Sequence, residues 1–350
     1  MQRAHVLPLN YFATDGIEHF DLWDGYSITK RRHNIPALMG NSLMGEAFGR
    51  HDKEEMHCHY WLEYRYQFDP FHPGVCKGIG TKPDQLGTKI DDVERTMKII
   101  MYAMHIAKKS KTGYTWVLGL TESDPPFIDY LTNLSTEVYL SGENAIEEIR
   151  QCVWTKSQLE ELKTLSKRIS DLFNQPRSKK EYHRLTRAIA FFELACCTFN
   201  LDISFVNFMI SLESLFNTDR AEVGYKMRSR ISYFLEQDDP HKRNELANTI
   251  KKLYSFRSDI VHGEGLAKYG ETTAKEYIYQ VESVIRDVLK KILHSDDLTE
   301  MFCLNREKLG VVFDTIVSGV PLSMWKSTVG EKSGHCKSAK STSPPPSPSQ

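Results

Sequence analysis

The sequence predicts an α+β protein: an N-terminal mixed α+β domain over residues 1–150, then an all-α helical bundle over 155–295. Three observations predict it. Up to about residue 150, short strand-like runs alternate with Gly and Pro breaks. From about 155 to 294, apolar residues recur at helical spacings of three and four. The chain has 350 residues, more than the roughly 150 of one average domain. A C-terminal extension, 296–328, and a Ser/Pro-rich tail, 329–350, complete the expected organisation.

The elements follow in order. In HCHYWLEYRYQF, Tyr60, Leu62, Tyr64, Tyr66 and Phe68 recur at every second position, as a half-buried strand requires. Thr115 to Leu120, TWVLGL, is a second strand, and between the two Val93, Met97, Ile100, Met101 and Met104 line one helix face. Ser157 and Glu160 form a capping-box pair ahead of Leu162, Leu165, Ile169 and Leu172, so a helix should start near Ser157. Leu185, Ile189, Phe192, Cys196 and Phe199 mark the next helix, and Phe205, Phe208, Met209, Leu212, Leu215 and Phe216 another. Val223, Met227, Ile231 and Phe234 follow, then Leu246, Ile250 and Leu253 after Pro240. A long amphipathic helix carries Ala274, Ile278, Val281, Ile285, Val288 and Ile292. Helices joined by short turns describe a bundle. The tail SGHCKSAKSTSPPPSPSQ has no apolar period and cannot bury a core, so it is expected to be disordered.

Composition narrows the function. With 45 Lys+Arg against 46 Asp+Glu, the net charge is −1, which argues against coating nucleic acid by bulk charge. A local basic groove remains open: from Arg220 to Asp259 nine basic residues face six acids. Seven cysteines without a CxxC pair read as reduced thiols. The opening MQRAHVLPLNYFATDG lacks the apolar core of a signal peptide, and no apolar run approaches the roughly 20 residues of a spanning helix. The expectation is a cytoplasmic protein that does not enter membranes.

The most informative stretch is Leu253 to Gly263, LYSFRSDIVHG. Arg257 continues the apolar stripe of positions 246, 250 and 253, and a guanidinium there needs an anion such as Glu213. Gly263 is a natural helix stop, placing His262 at the carboxyl end. Taken alone, an Arg paired with a core carboxylate and a His capping a helix explain these residues.

Three blocks in order, LESLF (212–216), YKMRSRISYFL (225–235) and LYSFRSDIVHG (253–263), resemble the Apea-like members of the HEPN family, over about 180–295. That family is marked by an Arg, four to six residues and then a His; here Arg257 and His262 match. The resemblance implies metal-independent RNA cleavage without a cofactor, in phage defence or growth arrest as in toxin–antitoxin systems. His262 would act as general acid–base on a ribose 2′-hydroxyl that attacks the adjacent phosphodiester. Arg257 would hold the phosphate, and Ser258, Asp259, Glu213 and Arg228 would support the site or bind RNA. It implies RNA as substrate, a homodimer, and an antitoxin or phage-derived trigger as partner. Active members usually carry Asn, Asp or His directly after the Arg, where this chain has Ser258. The chemistry suits the residue types: imidazole titrates near neutrality, and guanidinium offers permanently charged donors. Five residues along a helix turn the direction by roughly 140° and advance roughly 7.5 Å, so two copies would gather these groups better than one.

Other motifs are weaker. His57 and His59 share a strand face near His51, His72 and Cys76, without a recognised metal-ligand spacing. Gly78-Ile79-Gly80-Thr81 lacks the rest of a dinucleotide fingerprint, Ser42, Ser141 and Ser214 have no GxSxG setting, and Cys196-Cys197 reads as packing. The competing class is a non-catalytic module that binds RNA, a nucleotide or a protein through the same Arg and His. A purely structural scaffold explains the periodicity but not Arg257 on the stripe.

Overall fold

A computed structural model describes residues 2–9, 12–30, 60–67, 75–76, 79–80, 85–110, 112–121, 127–136, 153–174, 183–198, 200–219, 221–264 and 268–329. The fold is mixed α+β, with a small antiparallel sheet toward the N-terminus and many helices. The strands are β1 (Gln2–Pro8), β2 (Ala13–Thr14), β3 (His19–Asp21), β4 (Tyr26–Lys30), β5 (Tyr60–Gln67), β6 (Val75–Cys76), β7 (Ile79–Gly80), β8 (Tyr114–Thr121), β9 (Phe127–Thr136) and β10 (Val153–Trp154). Six of them form one sheet in the order β3-β4-β5-β1-β8-β9. Its neighbours all pair antiparallel, Leu7 opposite Leu62 and Val6 opposite Leu118 among them.

The alternation in β5 suggests a strand with one wet face, and the structure corrects this. Tyr60, Trp61, Leu62 and Glu63 are all buried, so both faces are covered in the first half of β5, which pairs with β4 and β1 along its edges. Phe68 lies outside the described residues.

The helices are α1 (Gln85–Ala107), α2 (Lys156–Phe173), α3 (His183–Cys196), α4 (Leu201–Phe216), α5 (Val223–Leu235), α6 (Pro240–Val261), α7 (Glu271–Leu293), α8 (Asp296–Phe302), α9 (Arg306–Val317) and α10 (Trp325–Thr328). The apolar positions read from the sequence on α1 to α7 are buried, except that Val93, Val223 and Leu246 are half-buried and Phe199 lies outside the described residues. The start of α2 differs from expectation. Its N-cap is Thr155, whose Oγ1 accepts from the Gln158 N–H while Gln158 Oε1 accepts from the Thr155 N–H at 3.1 Å. The Ser157–Glu160 pair sits two residues too late, because a capping box needs its first residue outside the helix. Thr155→Ala is expected to cost about 1 kcal/mol, read as a lowered denaturation midpoint.

The change of texture near residue 150 does not interrupt the core. One buried cluster joins Leu7, Ile28 and Leu62 of the sheet, Met97 and Met104 of α1, and the inner residues of α2 to α9. Polar contacts cross as well: Trp23 Nε1 donates to Ser166 Oγ at 2.9 Å and Lys163 Nζ to the Asp21 carbonyl at 3.0 Å. The stretch beyond 295 completes the bundle, since Phe302 and Phe313 stack with Phe216 and Phe234 at ring distances of 5.3 to 5.9 Å. The tail from residue 330 lies outside the described residues. Among the described residues, no helix is long and apolar enough to cross a membrane.

At the junction of α1, α3 and α7 sits a fully buried imidazole. His105 Nδ1 lies 2.6 Å from Glu193 Oε2, and Nε2 lies 2.7 Å from the Thr112 carbonyl oxygen. Acceptors at both nitrogens favour the doubly protonated ring, against the burial that opposes it. Arg286 of α7 donates Nε to the His105 carbonyl at 3.0 Å and Nη2 to Glu282 at 2.6 Å, closing the junction.

Candidate functional site

Helix α6 positions the Arg and the His. Asp239 caps its start, with Oδ1 accepting from the His241 and Lys242 N–H groups, and Pro240 follows where no N–H is needed. Its end is a Schellman turn: the Glu264 N–H reaches the Asp259 carbonyl at 2.9 Å and the Gly263 N–H the Ile260 carbonyl at 3.0 Å. Gly263 adopts φ +87°, which only glycine takes without strain, so the helix stops where the sequence places the stop.

Phe256 takes the inward position near this end. Buried, it meets Phe205 at 4.7 Å, Tyr269 at 4.9 Å and Tyr277 at 5.2 Å. Arg257, the next residue, is thereby turned to the margin of the stripe, and its side chain keeps 25% of its exposure. This revises the expectation of an Arg on the inner stripe. The expected partner is present: Arg257 Nη2 donates to Glu213 Oε2 at 3.3 Å, and Nε lies 3.0 Å from Oε1, off the hydrogen-bond direction. Burial raises the Glu213 carboxyl above its ordinary range, and Arg257 offsets part of that. Arg257 Nη1 has no acceptor among the described residues.

Because water reaches both partners, Arg257→Ala is expected to lower stability by about 1–2 kcal/mol, less than the about 3–5 kcal/mol of a fully buried pair. Urea denaturation checks this value.

His262 is exposed, and its imidazole makes no hydrogen bond among the described residues. Its backbone N–H closes the helix end by donating to the Ser258 carbonyl at 3.0 Å. Ser258 is half-buried, and its carbonyl is the part of it that the helix end uses. Asp259, one turn before His262, takes the Tyr269 hydroxyl and lies 3.2 Å from Lys268 Nζ. The Tyr269 hydroxyl first, then Lys268 and His262, hold the Asp259 carboxyl below its ordinary range. Lys268 also binds Glu264 at 2.7 Å, and its ammonium is held above its ordinary range by the two acids. Sequence reading missed Lys268 and Tyr269, whose role arises only because the chain folds back after Gly263.

Arg228 stands apart from this group. Its guanidinium lies 5.2 Å from the Tyr225 ring on its own helix, and it makes no hydrogen bond to Glu213, Arg257 or His262 among the described residues. The basic surplus of 220–259 is likewise no continuous face. Arg230 is buried against the end of α4, Arg243 caps the Gln237 carbonyl at 2.6 Å, and Lys226 is paired with Asp219 at 2.8 Å. The Arg230 and Arg243 ties follow from helix ends whose carbonyls need donors, and the Lys226 tie is an ion pair between side chains.

The remaining candidates fall away from chemistry or from view. Cys196 is buried and Cys197 donates Sγ to Glu193 at 3.6 Å; burial pushes both thiols far up, as packing cysteines should be. Ser214 is buried inside α4. His51, His57, His59, His72, Gly78, Ser42, Ser141 and Arg220 lie outside the described residues, as does the side chain of Cys76. Among the described residues no three His, Cys, Asp or Glu side chains converge as metal ligands.

The arrangement offers an exposed proton-transfer group and a half-buried cation with a free edge, on one helix and five residues apart. No protein-family model, curated protein or solved structure matches this chain.

Proposed function

We propose that this protein is a metal-independent endoribonuclease of the HEPN type, acting in antiviral defence or growth arrest. The observation that carries the reading is the pair at the end of α6: an exposed His262, its imidazole without a hydrogen bond among the described residues, five residues after Arg257, whose Nη1 edge has no acceptor among the described residues. His262 takes the proton of a ribose 2′-hydroxyl, and the resulting oxygen attacks the adjacent phosphorus. The 5′-oxygen leaves with the proton that His262 gives back, and the product ends in a 2′,3′-cyclic phosphate. Arg257 meets the added negative charge of the phosphorane with its free donors, while Glu213 keeps the guanidinium in place. Asp259, held by Tyr269 and Lys268, sets a negative charge one turn before His262.

The roughly 140° between Arg257 and His262 supports a homodimer in which each copy supplies groups to a shared cleft. A second reading rests on the Arg257–Glu213 pair itself. If that pair is a bracket between α4 and α6, the same face binds RNA, a nucleotide or a partner protein without cutting it. The deciding experiment incubates the full chain with labelled single-stranded RNA and excess chelator. Products ending in cyclic phosphate are expected. Intact RNA at micromolar enzyme, with RNA still bound, would leave only the binding reading.

A further inference from the structure

One cavity shares no residue with the Arg257–His262 site. It is a cleft of about 390 Å³ between the middle of α1 and the last residue of α2, lined by Glu94, Arg95, Lys98, Ile99, Tyr102 and Phe173. That size falls within the roughly 300–1,000 Å³ of small-molecule sites. Five of the six residues come from α1, and their spacings of three and four put them on one face. Phe173 forms the other side because α2 stops there. The Asn174 N–H turns back to the Ser170 carbonyl, and Arg95 Nη2 donates to the Phe173 carbonyl at 2.5 Å. A helix end needs such a donor, and here the bond ties the two walls of the cleft together.

The lining divides by chemistry. The Tyr102 and Phe173 rings stand 6.0 Å apart with their planes at 57°, so they make a corner rather than a stack. A third ring entering that corner lies flat on one and meets the other edge-on, the arrangements aromatic pairs favour. Ile99, 2% exposed, adds an apolar wall that the core already fixes. Two cations line the same cleft. Arg95 keeps Nε and Nη1 without an acceptor among the described residues, and Lys98 Nζ makes no hydrogen bond or ion pair among them. Glu94 lines it too, so the set carries two positive charges and one negative. A single negative charge on an occupant complements that set, whereas a second one meets the repulsion of Glu94.

We propose that this cleft binds a small aromatic monocarboxylate, its carboxylate on Arg95 and Lys98 and its ring in the corner of Tyr102 and Phe173. An arginine fork holds a carboxylate in a fixed direction, and a lysine adds a point charge on a flexible stem. The apolar corner supplies the area that a bare anion cannot use. The inference concerns a small-molecule site and stands apart from the ribonuclease reading, so either can fail alone.

The test is ligand-observed NMR titration of the full chain at pH 8 with three probes that share one ring system: naphthalene-1-acetate, its neutral amide, and 1-naphthyl phosphate. The acetate should bind at a Kd of about 1 mM or below, as suits a ligand this small. The amide, which keeps the ring and loses the charge, should bind at least about fivefold more weakly. The phosphate, a dianion at this pH, should bind no better than the acetate. In Lys98→Met the preference for acetate over amide should shrink to about twofold or less, and Lys98→Arg should keep it. Equal Kd values for acetate and amide on wild type overturn the proposal without any variant, as does the absence of binding by about 10 mM acetate. Tighter binding of the phosphate overturns the single-charge assignment. A preference left unchanged in Lys98→Met places the anion elsewhere and overturns the site.

Discussion

Glu193→Ala is expected to destabilise the fold by about 3–5 kcal/mol, the cost of leaving a buried charge without its partner. His105 is 1% exposed and Glu193 7%, so water cannot replace the lost carboxylate. The pair also has a pH signature. Burial works against the imidazolium, yet Glu193 and the Thr112 carbonyl together outweigh it, and His105 is held above its ordinary range. A histidine with a raised folded pKa contributes stability that is fully present below its unfolded value near about 6.5 and is lost as pH rises through the folded value. Wild type should therefore lose part of this contribution as pH rises above the unfolded value of about 6.5. In Glu193→Ala burial and Arg286 are left to dominate, the ring is neutral in the fold, and the sign reverses: the variant loses stability as pH falls toward 5. Urea denaturation of both proteins across this range reads the difference, and parallel curves would show that His105 is not charged in the fold.

His262→Ala should lower the rate of RNA cleavage by about 10²–10⁴, the usual loss when a general acid–base is removed. The fold should be untouched, because the imidazole is exposed and the helix stop depends on the His262 backbone and Gly263. His262→Gln keeps hydrogen bonding without proton transfer near neutrality and should be equally slow. Single-turnover cleavage with chelator present, alongside melting curves, separates the two effects. An unchanged rate in His262→Ala would remove this residue from the chemistry.

Much of the bundle was legible because helical periodicity is a local property. The inward residues of α4, from Phe205 to Phe216, and of α7, from Ala274 to Ile292, follow from spacing alone and are buried as expected. So does the stop at Gly263, where one residue type suits the backbone. Even the Arg257–Glu213 pair was readable, since a cation next to an apolar stripe needs a carboxylate and Glu213 is at hand two helices earlier.

What the chain alone determined, then, was which segments are helices, where several of them end, and which Arg and His stand near one helix terminus. Only the tertiary structure decided the rest. It turned Arg257 to the margin by giving Phe256 the inward place, and covered both faces of the first half of β5. It also brought Arg184 and Arg230 from two helices to the end of a third, and His105 to Glu193 across 88 residues. The reason is physical: periodicity is set by neighbours three and four residues away, whereas burial and charge pairing are set by surfaces that meet only when the helices pack.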